Sequence, residues 1–265
     1  MQSGITLFSD KVTAYTAARP SYPLEMVLYL EEKCSLTKDS HIVEIGSGTG
    51  KFTELLLKNG YTVIGCEPCE NMRKKAECIL EKYSDRFISI NGDGEDTTLK
   101  DQSTDLIVIA NAFHFFDNEY GVKELQRILK PDGRIAIIYN YRNTETSELA
   151  AEYETILIKY CPKYASFVSK FGKDSHITNL FSPKESQIFT VNHEHSLTLT
   201  QYIERFNSAA WFEPSGLSVE ERKLFDSEVK TTYRRCQQHS EIKNMRYHEE
   251  EDPIKIGYQT RMYLL

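Results

Sequence analysis

The sequence predicts an α/β fold, a seven-stranded, mostly parallel, doubly wound sheet with an inserted helical cap. Up to residue 141, short apolar or β-branched runs alternate with amphipathic stretches, a rhythm typical of right-handed crossovers and a sheet covered on both faces. Beyond that point the rhythm stops. Mainly helix-like pieces follow, and a last strand candidate at Lys255–Leu264 would return to the sheet.

The first unit of this pattern is a strand, a glycine loop and a helix. A helix over Leu24–Cys34 precedes the strand His41–Ile45, which ends at Gly46. An amphipathic stretch begins at Phe52 and ends at Asn59-Gly60. Further strands are predicted at Tyr61–Cys66, Phe87–Ile90, Asp105–Ala110 and Arg134–Tyr139, with helices at Asn71–Lys82 and around Val122–Leu129.

The length of 265 residues suits one domain with a sizeable insertion. We expect residues 1–141 together with 250–265 to form the core. Residues 142–249 would be a mainly helical cap, with helix-like pieces near 145–160, 199–208 and 218–238 and a strand candidate near Gln187–Asn192. The many aromatic side chains of this range suit a core, and they also suit an apolar ligand pocket.

Composition limits the possible partners. With 40% hydrophobic and 27% charged residues, the chain resembles ordinary globular proteins, and its net charge of −7 argues against a nucleic-acid partner. Met1–Ile5 lacks a basic flank and an apolar run, and no stretch approaches the roughly 18 apolar residues of a membrane span. We therefore expect a cytoplasmic protein without a membrane partner. Its six irregularly spaced cysteines indicate reduced thiols.

Glycines at positions 46, 48 and 50 follow a strand and open a helix. They let the backbone turn sharply and bring its N–H groups close to a ligand at the helix N-terminus, although a generic tight turn is the alternative. The dinucleotide fingerprint places its third glycine one residue later, where this chain has Lys51. This departure counts against a nicotinamide cofactor.

Two acidic residues follow the next two strands. Glu67 ends the second strand about twenty residues after Gly46, where a carboxylate can accept ribose hydroxyls. Asp93 comes after the third strand and is either a turn former or an acceptor for an adenine amine. Because ligands bind at the carboxyl ends of such strands, the loop and both acids together favour a nucleotide-like ligand.

Four segments look like the successive motifs of class I S-adenosylmethionine-dependent methyltransferases: Val43–Gly50, Glu67-Pro68, Asn91–Asp93 and Leu129–Gly133. More narrowly, Phe8-Ser9, Tyr15, Ala18–Pro23 and Asn111–Asp117 resemble the small-molecule branch that includes trans-aconitate methyltransferases. Members of that branch usually have tryptophan where this chain has Phe115.

The resemblance implies S-adenosylmethionine as cofactor and S-adenosylhomocysteine as product. It places the loop glycines behind the methionine portion, Glu67 at the ribose, and Asp93 with Gly94 at the adenine. Arg19 would close over the cofactor and clamp its carboxylate, unless it is simply exposed beside a proline turn. The implied cofactor residues are Tyr15, Arg19, Glu44, Gly46, Ser47, Gly48, Gly50, Glu67, Pro68, Asp93, Gly94 and Asn111.

Methyl transfer from a sulfonium needs few catalytic side chains, because the enzyme mainly aligns the acceptor and excludes water. His114 lies just beyond the fourth strand and is a candidate base, or else a packed histidine that orients its neighbours. A carboxylate acceptor would need no base. Candidates for the acceptor pocket are Tyr139, Tyr141, Arg142 and Trp211, with a solvent-facing Arg142 as the alternative. No metal site is expected, because the His193/His195 pair lacks a third ligand.

The sequence therefore favours methyl transfer to a small-molecule acceptor, with oxygen as the first expectation from the branch resemblance. No Asn-Pro-Pro-Tyr or Asp-Pro-Pro-Tyr follows the fourth strand, which argues against amino-group methylation of bases or of glutamine. Methylation of a protein or nucleic acid stays open, as does a non-catalytic cofactor-binding protein or, more weakly, a nicotinamide oxidoreductase. The sequence does not indicate an oligomeric state.

Overall fold

The computed structural model describes residues 16, 19–161, 163–165, 174–182, 186–209, 216–244 and 252–265. Its strands are β1 (Ile42–Ile45), β2 (Val63–Cys66), β3 (Phe87–Ile90), β4 (Thr104–Ala110), β5 (Leu129–Arg142), β6 (Gln187–Leu197) and β7 (Ile254–Leu264). Its α-helices are α1 (Glu25–Cys34), α2 (Lys51–Lys58), α3 (Glu70–Ile79), α4 (Glu119–Ile128), α5 (Glu148–Tyr160), α6 (Asp174–Leu180), α7 (Leu199–Asn207) and α8 (Val219–Asn244).

The strands form one seven-stranded sheet in the order β3-β2-β1-β4-β5-β7-β6. The strands β1 to β5 are parallel, and β7 runs antiparallel to both β5 and β6. The predicted α/β fold with a mostly parallel sheet is confirmed. From β1 the chain moves to β2 and β3 on one side, whereas β4 joins the other side, so β1 and β4 flank the point where the strand order reverses. Ligands of such sheets bind at this point.

The strand β5 begins earlier than the sequence predicts. It starts at Leu129, directly after α4, and its register with β4 shifts between the pairs Thr104↔Leu129 and Leu106↔Arg134. The segment Lys130–Gly133, which lies between the predicted helix and the strand predicted from Arg134, is in this irregular part. A local bulge thus absorbs the turn residues without ending the strand.

The strand β6 lies in the middle of the range 142–249, for which we expected a mainly helical cap. It pairs with β7 along its whole length, from Gln187↔Leu264 to Leu197↔Ile254, and therefore belongs to the sheet. The strand candidate near Gln187–Asn192 thus joins the sheet and extends to Leu197. The helical parts outside the sheet include α5, α7 and α8.

These three helices pack together against β7. Their shared core includes Leu149, Tyr153, Tyr202, Phe206, Phe225, Tyr233, Ile256 and Tyr258. The helix α7 begins with a capping box, in which Thr198 Oγ1 accepts the Gln201 N–H at 3.2 Å and Gln201 Oε1 accepts the Thr198 N–H at 3.0 Å. The box sets where α7 starts and thus which of its residues face the core.

None of the helices in the described ranges is both long and apolar enough to cross a membrane. The described residues also contain no group of three or more histidine, cysteine or acidic side chains that could hold a metal ion.

Candidate active site

A pocket opens at the carboxyl ends of β1 and β4, where the strand order reverses. It holds about 510 Å³ of space without protein atoms, open solvent at its mouth included. The lining residues come from the segment before α1, the glycine loop, the ends of β4 and β5, and α7. They are Arg19, Pro20, Tyr22, Glu44, Gly46, Ser47, Gly48, Thr49, Lys51, Phe52, Ala110, Asn111, Asn140 and Arg205.

The glycine loop adopts a backbone that favours glycine. Gly46, Gly48 and Gly50 have φ angles of +69°, +56° and +81°. A Cβ on Gly46 would lie 2.5 Å from the Cβ of Ala112, whereas a Cβ on Gly48 would have no atom within 4 Å. Gly46 is therefore needed for close packing at the end of β4, and Gly48 faces open space.

Glu67 joins the end of β2 to this loop. It is buried, and its Oε2 accepts the Gly48 N–H at 2.9 Å while Oε1 accepts the Cys69 N–H at 2.9 Å. Burial raises the pKa of Glu67, and the two backbone N–H groups act in the opposite direction. The carboxylate is thereby held in one orientation.

Asp93 and Gly94 shape the turn after β3. Asp93 Oδ1 accepts the N–H groups of Glu95 at 2.8 Å and Asp96 at 3.0 Å, so Asp93 does form a turn, one of the two roles predicted for it. A Cβ on Gly94 would come within 2.1 Å of the Phe116 ring. Gly94 thus makes room for that ring.

Glu44 is a buried carboxyl at the base of the pocket. It is 2% exposed and accepts a hydrogen bond from the Thr53 hydroxyl. Burial raises the pKa of Glu44 to about 8, which outweighs the lowering by Thr53. The group is therefore largely protonated at neutral pH.

Asn111 links three walls of the pocket. Its backbone has a φ of +54° and its Nδ2 donates to Tyr22 Oη at 2.7 Å, while its Oδ1 accepts the Asn140 N–H at 3.2 Å. The end of β4 is thus connected to β5 and to the segment before α1.

Three cationic residues line the same pocket: Arg19, Lys51 and Arg205. Arg19 Nη2 donates to the carbonyl of Ser208 at 3.4 Å, which ties the segment before α1 to the end of α7. Burial lowers the pKa of Lys51. With Glu44 largely protonated, the lining carries an excess of positive charge.

Arg205 was missed by sequence reasoning. It is 5% exposed and lies on α7 between Tyr202 and Phe206, which are both fully buried. A charged residue within the apolar face of an amphipathic helix is the signal that could have found it.

His114 lies in a 3-10 turn over Phe113–Phe115, just after β4. Its backbone N–H donates to Tyr139 Oη at 3.1 Å. Burial, assisted by the charge of Arg19, lowers the pKa of His114 to about 3. The imidazole is therefore neutral at ordinary pH and a weak base, which favours the orienting role over proton removal.

Three residues expected to line the acceptor pocket lie on β5, and they have different surroundings. The rings of Tyr139 and Tyr141 lie 5.7 Å apart at the end of the strand. Arg142 instead forms an ion pair with Glu154, and its Nη2 donates to Tyr164 Oη at 2.6 Å. Its side chain is 11% exposed. Arg142 is thus not solvent-facing, the alternative named for it, and its guanidinium is paired with a carboxylate of α5.

Six of the twelve implied cofactor residues line this pocket. Arg19, Glu44, Gly46, Ser47, Gly48 and Asn111 line it, whereas Gly50, Glu67, Pro68, Asp93 and Gly94 lie behind the loop or after the neighbouring strands. Tyr15 and Trp211 lie outside the described residues.

Comparison with known proteins adds a family match. Residues 43–137 match the family model described as "Methyltransferase domain". The chain is 31% identical over 172 residues to an uncharacterized methyltransferase-like protein of Schizosaccharomyces pombe, covering 63% of this chain and 64% of that protein. It is 28% identical over 285 residues to a probable S-adenosylmethionine-dependent methyltransferase of Saccharomyces cerevisiae, and the match covers 94% of this chain and 93% of that protein. In the first two curated relatives, the match spans 64% and 53% of their length.

Solved structures show the same fold at low identity. A putative type II methyltransferase of Anaeromyxobacter dehalogenans has a TM-score of 0.59 at 15% identity, covering 93% of this chain and 97% of that one. A putative methyltransferase from an antibiotic biosynthesis pathway of Anabaena variabilis has a TM-score of 0.57 at 22% identity, and the match covers 93% of this chain and 98% of that one. These likenesses extend through the cap and concern the fold alone.

Proposed function

We propose that this chain, whose residues 43–137 are a methyltransferase domain of the S-adenosylmethionine-dependent class, transfers a methyl group to an oxygen of a small-molecule acceptor. The observation that carries the proposal is the pocket at the glycine loop, because its lining combines Arg19 with the buried carboxyl of Glu44. These two groups complement the carboxylate and the ammonium of an amino acid.

The charges of the pocket fit the methionine end of the cofactor. Glu44 is a buried carboxyl whose pKa of about 8 reflects desolvation without a cationic partner. A ligand ammonium beside it would favour the carboxylate and offset that desolvation. Arg19 would take the ligand carboxylate through its planar fork.

The nucleoside end would rest on the neighbouring strand ends. Glu67 is held by Gly48 and Cys69, and each carboxylate oxygen has more than one lone pair, so it can still accept from ribose hydroxyls. Gly48 leaves open space for the ligand beside the loop. Asp93 and Gly94 are the residues proposed for the adenine.

When bound, the cofactor supplies a methyl group already activated on a sulfonium. The chain's own residues would orient the acceptor and exclude water. Because the pKa of His114 is about 3, it is poorly suited to remove a proton from a hydroxyl or an amine. This supports a carboxylate as the acceptor group, since it needs no base.

A small acceptor fits better than a macromolecule. Arg205 of α7 lines the pocket from the cap, and the net charge of −7 disfavours nucleic acid. Methylation of a protein or nucleic acid remains the enzymatic alternative, and a cofactor-binding protein without an acceptor site is the non-enzymatic one.

Two measurements test the proposal. Thermal unfolding with S-adenosylmethionine, S-adenosylhomocysteine or NAD should show stabilisation by the first two; stabilisation by NAD alone would contradict the proposal. Release of S-adenosylhomocysteine should then be measured with small acids, phenols and amines. Turnover is expected with acids, whereas cofactor binding without turnover of any small molecule would favour one of the two alternatives.

A further inference from the structure

A row of polar side chains crosses the sheet behind the wall of the pocket. Asn140, Thr260 and His193 belong to β5, β7 and β6, which are neighbours in the sheet. Asn140 and Thr260 lie directly opposite each other, and Thr260 is fully buried. Two residues further along the same face, Ile138 pairs with Met262, and both are buried. A polar row among apolar neighbours costs free energy unless each of its groups has a partner.

The direction of each hydrogen bond in this row follows from its ends. Asn140 Nδ2 donates to the carbonyl of Ser21 at 3.1 Å, and a carbonyl can only accept. The amide oxygen of Asn140 therefore faces Thr260 and accepts its single hydroxyl proton. Thr260 Oγ1 lies 2.9 Å from Nε2 of His193, so this nitrogen must carry a proton and donate it. Thr260 thereby fixes which end of the Asn140 amide points to Ser21.

Asn140 is the member of the row that lines the pocket. Its backbone N–H donates to Asn111 Oδ1 at 3.2 Å, and Asn111 Nδ2 donates to Tyr22 Oη at 2.7 Å. Its side chain reaches Ser21, which directly precedes Tyr22 and follows Arg19 closely in the chain. Asn140 thus holds the segment before α1 by two routes, one through its side chain and one through Asn111.

We propose that Thr260 is a positioning residue for the cofactor pocket, because it locks the amide of Asn140 in the orientation that holds the segment before α1 against the end of β5. This inference rests on the proposed function, in which Arg19 of that segment takes the carboxylate of the cofactor. Thr260 lies behind Asn140 and is not among the residues that line the pocket. It acts through Asn140 and does not touch the ligand.

Loss of the Thr260 hydroxyl would release this orientation. The two ends of an amide group have nearly the same shape, so its hydrogen-bond partners decide which way it is turned. In a turned amide the oxygen of Asn140 would face the carbonyl of Ser21, and two acceptors cannot form a hydrogen bond. The segment that carries Arg19 would lose a contact with β5, and cofactor binding would then have to order it.

The test compares Thr260→Val, which keeps the shape of the side chain and removes the hydroxyl, with Thr260→Ser, which keeps the hydroxyl. Thr104→Val is a matched control. Thr104 is also buried in the sheet, but it lies at the opposite end of β4 from Ala110, which lines the pocket. Calorimetry gives the Kd of S-adenosylhomocysteine for each variant, and thermal unfolding gives the Tm without ligand.

We expect Thr260→Val to raise the Kd of S-adenosylhomocysteine about 3- to 10-fold, the factor that corresponds to a neutral hydrogen bond. Thr260→Ser should restore most of the affinity, and Thr104→Val should bind like the wild type. If Thr260 only supported the fold, Thr260→Val would lower the Tm and leave the Kd unchanged. That result would overturn the inference.

A double variant tests whether Thr260 acts through Asn140. Asn140→Ala should raise the Kd of S-adenosylhomocysteine by itself, because it removes the donor to Ser21. Thr260→Val/Asn140→Ala should bind as weakly as Asn140→Ala alone, since no amide is left to orient. An unchanged Kd in Asn140→Ala, or additive losses in the double variant, would also overturn the inference. A wild-type protein that binds no S-adenosylhomocysteine would instead contradict the proposed function.

Discussion

The Oε2 atom of Glu67 accepts the backbone N–H of Gly48 at 2.9 Å, which connects the end of β2 to the loop that follows β1. The other oxygen of the same carboxylate accepts the N–H of Cys69 at 2.9 Å. One acidic side chain thus holds both the loop and the start of α3. Its position depends on two strands that are adjacent only in the folded sheet.

Replacing Glu67 should weaken cofactor binding. Glu67→Ala removes the acceptor of two backbone N–H groups and the group proposed to hold the ribose, so we expect the Kd of S-adenosylhomocysteine to rise about 10- to 100-fold. Calorimetry measures this directly. Glu70→Gln is the control, because Glu70 is exposed and pairs with Lys74 on the surface of α3. An unchanged Kd in Glu67→Ala would contradict the assignment.

Gly46→Ala should mainly lower the stability of the protein, whereas Gly48→Ala should mainly weaken cofactor binding. A methyl at Gly46 would meet Ala112 at 2.5 Å with a φ of +69°, so we expect a loss of about 2–3 kcal/mol in the free energy of unfolding. A methyl at Gly48 meets open space, so strain alone should cost about 1 kcal/mol.

Urea unfolding and S-adenosylhomocysteine binding separate the two positions. Gly48→Ala should lose more binding than stability, because its methyl enters the pocket. Equal losses of stability in both variants would show that packing against Ala112 is unimportant.

The dependence of the rate on pH should show no contribution from His114 between pH 5 and pH 9. Its pKa of about 3 lies below this window, so the imidazole is neutral throughout. We expect kcat/KM for an acid acceptor to lack an inflection near 6.5. His114→Ala should slow turnover with little effect on the Kd of S-adenosylhomocysteine. A wild-type inflection near 6.5 that is absent from His114→Ala would show that this histidine acts as a base.

Glu44 should make the ligand-free protein less stable as the pH rises. Its folded pKa of about 8 lies above the ordinary value of 4.5, so the folded state binds more protons than the unfolded state between these values. The contribution of Glu44 to stability is therefore fully present below pH 4.5 and is lost as the pH rises towards 8.

Glu44→Gln should weaken this pH dependence of Tm. Part of it should remain, because the pKa of Glu67 is raised as well. Thermal unfolding at pH 5 and pH 8.5 measures the difference, with Glu70→Gln as control. A Glu44→Gln variant whose Tm falls as steeply as that of the wild type would contradict the raised pKa.

Breaking the Arg142–Glu154 pair should destabilise the fold. Both side chains are largely buried, so removing one leaves the other unpaired, and we expect Arg142→Met to cost about 3 kcal/mol. The double variant Arg142→Met/Glu154→Met should cost less than the sum of the single variants. Urea unfolding of the four proteins measures this cycle. Additive losses would show that the pair is not coupled.

Much of the fold could be predicted from local patterns. Apolar runs of four to seven residues alternate with amphipathic stretches, and three glycines supply the positive φ angles that the observed loop requires. The limits of β5 could not be predicted, because a register shift against β4 carries the strand through Lys130–Gly133. Such a shift depends on the neighbouring strand.

The sequence by itself determined the doubly wound sheet, the glycine loop and the acidic residue Glu67 at the next strand end, because each depends on residues close together in the chain. Only the tertiary structure decided which charges are paired. Arg142 and Arg205 both lie beside Tyr153, yet Glu154 neutralises the first and no described carboxylate reaches the second. Electrostatic partners are decided by distance in space: Arg142 belongs to β5 and Glu154 to α5, and the two side chains meet only in the folded protein.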